Sequence, residues 1–283
     1  MIQRLKHIWN RTLAHSAEVT CIYICQLIFG LLVGCIFYSI VNENIGQSMA
    51  LERLALGFDR TVIMDMINSN DTVFSKVFSW AMVITPIYLI VSTWLQGGLL
   101  FNIKKGETGV KSQLKNGIKH LIPFLGFALF SIVLILLFVI IIGLPFRYIV
   151  GDPLITFSSE KPFVFSIIVL LAILSICIIT IWGLSISARY NYIQGSSFLQ
   201  SISLGTSLIK NHFFKILSIG YLLIGIHLLL ALVYYLIMGD RGAPSWLFVI
   251  FVILVQQLFS FARVYIRSFG YIAVDQVDEE FIG

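Results

Sequence analysis

Six apolar runs, each longer than the roughly 20 residues needed to cross a hydrocarbon core, alternate with short polar segments along the chain. Few folds accept that pattern. In lipid every backbone N–H and C=O must be satisfied within the protein, which leaves helices or closed barrels, and long runs without strict alternation specify helices. The expected fold is all-α: a polytopic membrane bundle, one integral membrane domain over 1–283, with spans at about 19–41, 77–101, 121–142, 162–188, 213–238 and 245–266. Composition agrees, since only 12% of the residues are charged, against about a quarter in soluble domains, and the mean hydropathy is +0.95.

Orientation follows from the segment between Trp94 and Pro123, where Lys104, Lys105, Lys111, Lys115 and Lys119 form a basic face between two spans. Loops rich in Lys and Arg stay in the cytoplasm. With this loop inside, 13 of the 19 Lys and Arg residues fall on the cytoplasmic side and both termini lie there, an N-in/C-in plan. The net charge of +5 is then a matter of topology. No helical stripe of cations interleaved with aromatics is present, so nucleic acid is not an expected partner.

Residues 1–18 place Leu5, Ile8, Trp9 and Leu13 at helical spacing among Arg4, Lys6 and Arg11, as in an amphipathic helix at the membrane surface. The apolar run after it is too long for a cleaved signal, so it is kept as the first span. Asn42 to Ser75 reads as an external loop carrying one amphipathic helix through Leu51, Leu54, Phe58, Val62 and Met66, and includes the sequon Asn70-Asp71-Thr72. Pro86 predicts a kink in the second span, and Gly143-Leu144-Pro145 a stop to the third. Tyr190 to Lys215 should lie along the cytoplasmic interface, and the acidic tail 272–283 should be flexible. Cys21, Cys25, Cys35 and Cys177 sit inside apolar runs, where thiols pack as small apolar groups, so neither a disulfide nor a metal site is expected.

Two loops echo one another. Phe101-Asn102-x3-Gly106-x5-Ser112 matches Tyr190-Asn191-x3-Gly195-x5-Ser201, and each follows a tryptophan, Trp94 or Trp182. An aromatic at headgroup level, an Asn capping the helix end and a glycine that breaks it make a sensible interfacial turn. The implied unit is span, interfacial segment, span, repeated in parallel, with a third copy closed across the termini by the sixth span, the basic amino-terminal segment and the first span.

Few ionisable groups fall within the spans, and His227 is the deepest of them. Such a residue is a functional candidate whose partner should be named. Counted from the turn near Arg241, His227 and Gln256 lie at similar depth, which makes Gln256 or Gln257 the expected partner. A neutral histidine fixing helix pairing is the simpler reading, and a relay or ligand site the alternative; Gln26 and Gln96 are secondary polar candidates. No catalytic residue or cofactor is implied: His-Glu-x-x-His, Gly-x-Ser-x-Gly, a P-loop and a membrane-depth carboxylate cluster are all missing from the sequence.

Gly-Gly-Leu-Leu at 97–100 before the lysine loop, and Lys210-Asn211-His212-Phe213-Phe214-Lys215 closing the second loop, give the chain its resemblance to uncharacterised six-span bacterial membrane proteins. These are similar to the membrane domain of some glycerophosphodiester phosphodiesterases. The resemblance implies a bacterial inner membrane and brings no catalytic residues. The expected function is a non-enzymatic scaffold or accessory subunit whose basic segments meet anionic lipid headgroups or a cytoplasmic protein partner. The alternative is a small-molecule or lipid transporter with its polar site at mid-membrane.

Overall fold

The computed structural model describes residues 2–45, 71–150, 160–238 and 246–282. The expected external helix through Leu51 to Met66, Asn70 of the sequon and the turn near Arg241 lie outside them. The described residues form helices α1 (Ile2–Ala14), α2 (Ser16–Ile45), α3 (Asp71–Lys105), α4 (Val110–Lys119), α5 (Leu121–Val150), α6 (Glu160–Ile193), α7 (Phe198–Met238) and α8 (Trp246–Ile282). Six of these, α2, α3, α5, α6, α7 and α8, are long and apolar enough to cross a membrane. The chain is an integral membrane helical bundle.

The spans form a ring in chain order, α2 against α3, α3 against α5, then α6, α7 and α8, and α8 closes on α2. Among the described residues most of the buried core gathers at one end. Leu99, Leu100, Ile103, Phe124, Phe127, Tyr190, Ile272 and Val274 are buried near the end shared by α1, α4 and the last turns of α8. Away from it Leu31, Leu136, Leu171 and Leu236 are more than half exposed, as lipid-facing positions are. Between apolar helices in lipid no hydrophobic force closes the remaining gaps, so they persist unless side chains fill them.

Several boundaries move. Spans two and four run past the expected ends at 101 and 188 to Lys105 and Ile193, so each aromatic-Asn pair lies inside the last helical turns. Gly143-Leu144-Pro145 does not stop α5, which continues to Val150: a proline near the end of a helix removes a single backbone hydrogen bond. The acidic tail expected to be flexible is the end of α8 instead: Tyr271, Ile272, Val274, Asp275, Val277 and Asp278 are all buried there. The apolar residues among the acids, spaced along one face, are what dock it.

The echo between the loops reaches the backbone. The Glu107 N–H donates to the Asn102 carbonyl at 3.0 Å and, 89 positions on, the Ser196 N–H donates to the Asn191 carbonyl at 3.2 Å. Gly106 (φ 68°) and Gly195 (φ 103°) supply the left-handed residue between donor and acceptor. A short amphipathic helix follows each time and ends at a histidine with similar non-helical angles, His120 (φ −106°, ψ 10°) and His212 (φ −124°, ψ 29°). His15 occupies the same place between α1 and α2.

Candidate functional site

Two polar regions lie within the bundle. The first joins the ends of α1, α3 and α8. Asp275, wholly buried, accepts from Arg11 at 2.9 Å and from Lys104 at 3.0 Å, and Lys104 also donates to Asp278 at 2.8 Å. The Lys104 ammonium stands 5.4 Å from the centre of the Tyr190 ring, whose hydroxyl donates to the Tyr271 carbonyl. Beside this cluster buried Glu18 accepts from the Asn102 amide (3.2 Å) and the Gly109 N–H (2.8 Å), while His15 lies 3.3 Å away. Charges taken so far out of water persist only when paired and hydrogen-bonded, so this cluster fixes how three helix ends meet.

That geometry corrects three expectations. Lys104 is not part of a free basic face, its side chain being 6% exposed and committed to two carboxylates, whereas Lys105, Lys111, Lys115 and Lys119 are exposed. Tyr190 is wholly buried in protein rather than open to surrounding lipid; Phe101 stacks 5.4 Å from His120. Asn102 spans from its own helix to Glu18 and to the Gly109 carbonyl, and so ties the loop to α2 more than it caps α3.

The second region is a cavity of about 1370 Å³ between α2, α3, α6, α7 and α8. Its polar lining includes Tyr23, Gln26, His227, Gln257, Arg263 and Arg267. Most of the rest is apolar, including Leu27, Ile84, Ile179 and Leu223, and among the described residues no Asp or Glu lines it. Both arginines come from α8 one turn apart, so they share a face. Neither has an ion pair among the described residues, and the Arg267 Nε and Nη2 are buried without a hydrogen-bond partner. Buried guanidinium nitrogens without an acceptor are costly, and their position against a cavity is chemically informative.

Of the residues singled out from sequence, His227, Gln26 and Gln257 meet at this cavity, while Gln256 and Gln96 do not line it. The expected His227–glutamine pair is absent. The His227 Nδ1 lies 2.7 Å from the carbonyl of Leu223 on its own helix. A carbonyl only accepts, so Nδ1 carries the hydrogen. Gln256 donates to the Tyr234 hydroxyl and Gln257 accepts from the Tyr23 hydroxyl at 2.9 Å. Counting residues from the turn failed because α7 and α8 are offset: the partner of Gln256 lies seven residues beyond His227, about 10 Å along the helix. Gln96 bonds Ser92 and accepts from Tyr271.

Arg263 and Arg267 are the residues that reading the sequence missed. Their signal was there: two arginines at i and i+4 at the end of an apolar run, with no acid on that stretch before Asp275. They were counted toward orientation only. Cys21, Cys25, Cys35 and Cys177 are free thiols, and among the described residues no three His, Cys, Asp or Glu side chains converge as a metal would require. Compared with known proteins, the chain matches no family model, no curated protein and no solved structure.

Proposed function

We propose that this is a lipid- or small-molecule-handling protein of a bacterial inner membrane, non-enzymatic, with both termini cytoplasmic. One observation carries the reading over that of a scaffold: the cavity extends from the arginines to His227 deep in α7. A bundle that only holds a partner has no use for an intramembrane space lined by unpaired cations, while a protein that admits a solute or lipid needs one. The inner-membrane assignment rests on the resemblance, and the orientation on the lysine loop.

The exposed interfacial helices fit the same picture. On α4, Lys111, Lys115 and Lys119 accompany Ile118, which is 61% exposed, and just past it Ile122 is 83% exposed; on α7 Leu199 and Phe214 stand out beside Lys210. Apolar residues bordered by lysines suit insertion beneath anionic headgroups.

The test is access to position 227. His227→Cys is made in a background with Cys21, Cys25, Cys35 and Cys177 replaced, and probed from each side with a membrane-impermeant thiol reagent. Labelling is expected. Silence at 227, with loop controls labelled on their assigned sides, would remove the handling reading and return the scaffold.

A further inference from the structure

We infer that the cavity holds an anionic phospholipid, its phosphate on Arg263 and Arg267 and its chains along the apolar wall toward His227. This rests on the handling reading and names its ligand class. Three observations converge. The lining favours a negative ligand, with two arginines and no carboxylate among the described residues. The carboxylates of α8 within reach of the bundle's polar end are already taken: Asp275 by Arg11 and Lys104, Asp278 by Lys104. Within hydrocarbon an arginine without counter-charge is costly, and two on one helix face make a fork suited to a tetrahedral oxyanion.

Size and depth select a lipid over a free anion. At about 1370 Å³ the cavity far exceeds a phosphate ion, and most of its wall is apolar. Arg267 and Arg263 lie about 12 and 18 Å along α8 from Asp275, at 1.5 Å per residue, so both are set inward of the interface. His227 lies about 22 Å beyond the His212 bend, deeper still. An entering molecule therefore meets charge near the polar end and hydrocarbon beyond it, which is the order of groups in a phospholipid. Leu31 and Leu228, both lining residues, are 61% and 65% exposed, so the apolar wall is accessible where a lipid chain would lie.

The experiment compares lipid retained by the purified full chain from mixed micelles of equimolar phosphatidylglycerol and phosphatidylcholine. Wild type is expected to favour phosphatidylglycerol at least 10-fold. R263Q/R267Q should bring the ratio to within 2-fold of equality, R263K/R267K should keep part of the preference, and K111Q/K115Q/K119Q, which removes only surface headgroup contacts, should lower it by less than 2-fold. Equal retention by wild type overturns the inference, and so does a preference that follows the lysines and not the arginines.

A second measurement uses the native fold. Trp182 lines the cavity. The fluorescence difference between wild type and Trp182→Phe should be quenched more by chain-brominated phosphatidylglycerol than by the brominated phosphatidylcholine at the same mole fraction. Equal quenching overturns the proposal even if the arginine variants fail to fold. Inorganic phosphate at millimolar concentration should not displace the lipid; displacement would make this a free-anion site. Loss of the anionic preference with position 227 still labelled leaves lipid or solute handling intact. Arginine-dependent retention with position 227 silent keeps the ligand class and makes the lipid a structural one.

Discussion

Lys104→Met tests whether the buried ionic cluster holds the helix ends together. Two carboxylates depend on this lysine unequally. Asp275 keeps Arg11 at 2.9 Å when Lys104 is lost, whereas Asp278, 1% exposed at its side chain, loses the cation it pairs with among the described residues at 2.8 Å. Removing one member of a buried pair costs about 3–5 kcal/mol, because the orphaned charge stays where water cannot reach it. Met keeps the unbranched stem, so little of the loss comes from packing. The assay is reversible unfolding in mixed detergent micelles, following helix signal against denaturing detergent. Lys104→Met should lose about 3–5 kcal/mol, and adding Asp278→Asn should recover a good part of it, since the neutral amide has no charge to strand. Lys215→Met, at a pair that is 49% and 32% exposed, should lose less than about 1 kcal/mol. Equal losses at Lys104 and Lys215, or no recovery in the double variant, would refute the reasoning.

Other substitutions test the loop units. Gly98 and Gly117 stand where α3 and α4 touch, and a Cβ at either would run into backbone, the Gln113 carbonyl for Gly98 and the Trp94 carbonyl for Gly117. Gly98→Ala and Gly117→Ala should each destabilise by about 1–3 kcal/mol in the same unfolding assay, whereas Gly30→Ala and Gly34→Ala, with open space around them, should be neutral. His120 packs among Phe101, Phe124 and Tyr192, and burial, helped by the neighbouring Lys119 charge, holds its pKa below the ordinary value. The native state therefore keeps His120 neutral while the unfolded chain takes up a proton as pH falls through about 6.5, so stability is lost below that pH. His120→Phe should flatten this part of the acid dependence, read as the difference between wild type and variant from pH 7.5 to 5.5; an unchanged slope would show that His120 does not contribute it.

Much of the fold was legible because lipid leaves a sequence few choices. A run such as Leu121 to Ile142 has no stable state in a bilayer other than a helix, so span number and order follow from hydropathy alone. The ends were less legible. Hydropathy marks where a segment stops being apolar, and α3, α6 and α8 continue as helix into polar sequence because their polar residues find partners in the bundle: Lys104 in Asp275, Asn102 in Glu18, Asp278 in Lys104. Asp275 and Asp278 read as solvated charge for the same reason, since the cations that neutralise them come from α1 and α3, more than 170 positions away. The cavity was half legible: His227, Gln26 and Gln257 stood out as polar groups in apolar runs, but which glutamine faced which histidine depended on an interhelical offset that residue counting does not contain.

The two polar regions account for each other through α8. That helix carries cations at 263 and 267 and acids at 275 and 278, in an order that would let the acids sit beside the bases on a freely solvated helix only across two or more turns. Instead the acids are drawn to Lys104 and Arg11, and the ring of spans is closed at that end by ion pairs between helices that are remote in the chain. Asp275 and Asp278 are engaged there, and among the described lining residues α2, α3, α6 and α7 bring only Tyr, Thr, Gln, His, Trp and apolar side chains to the wall they face, so Arg263 and Arg267 meet no carboxylate. Lys104→Met frees a carboxylate of this ionic clasp on the helix that holds the arginines, and it should lower the retained phosphatidylglycerol only if Asp275 or Asp278 can reach the cavity. At about 12 Å between Arg267 and Asp275 along the helix neither can, so lipid retention in folded Lys104→Met should match wild type although its stability does not. A parallel fall in both would mean that the clasp and the cavity are a single cooperative site.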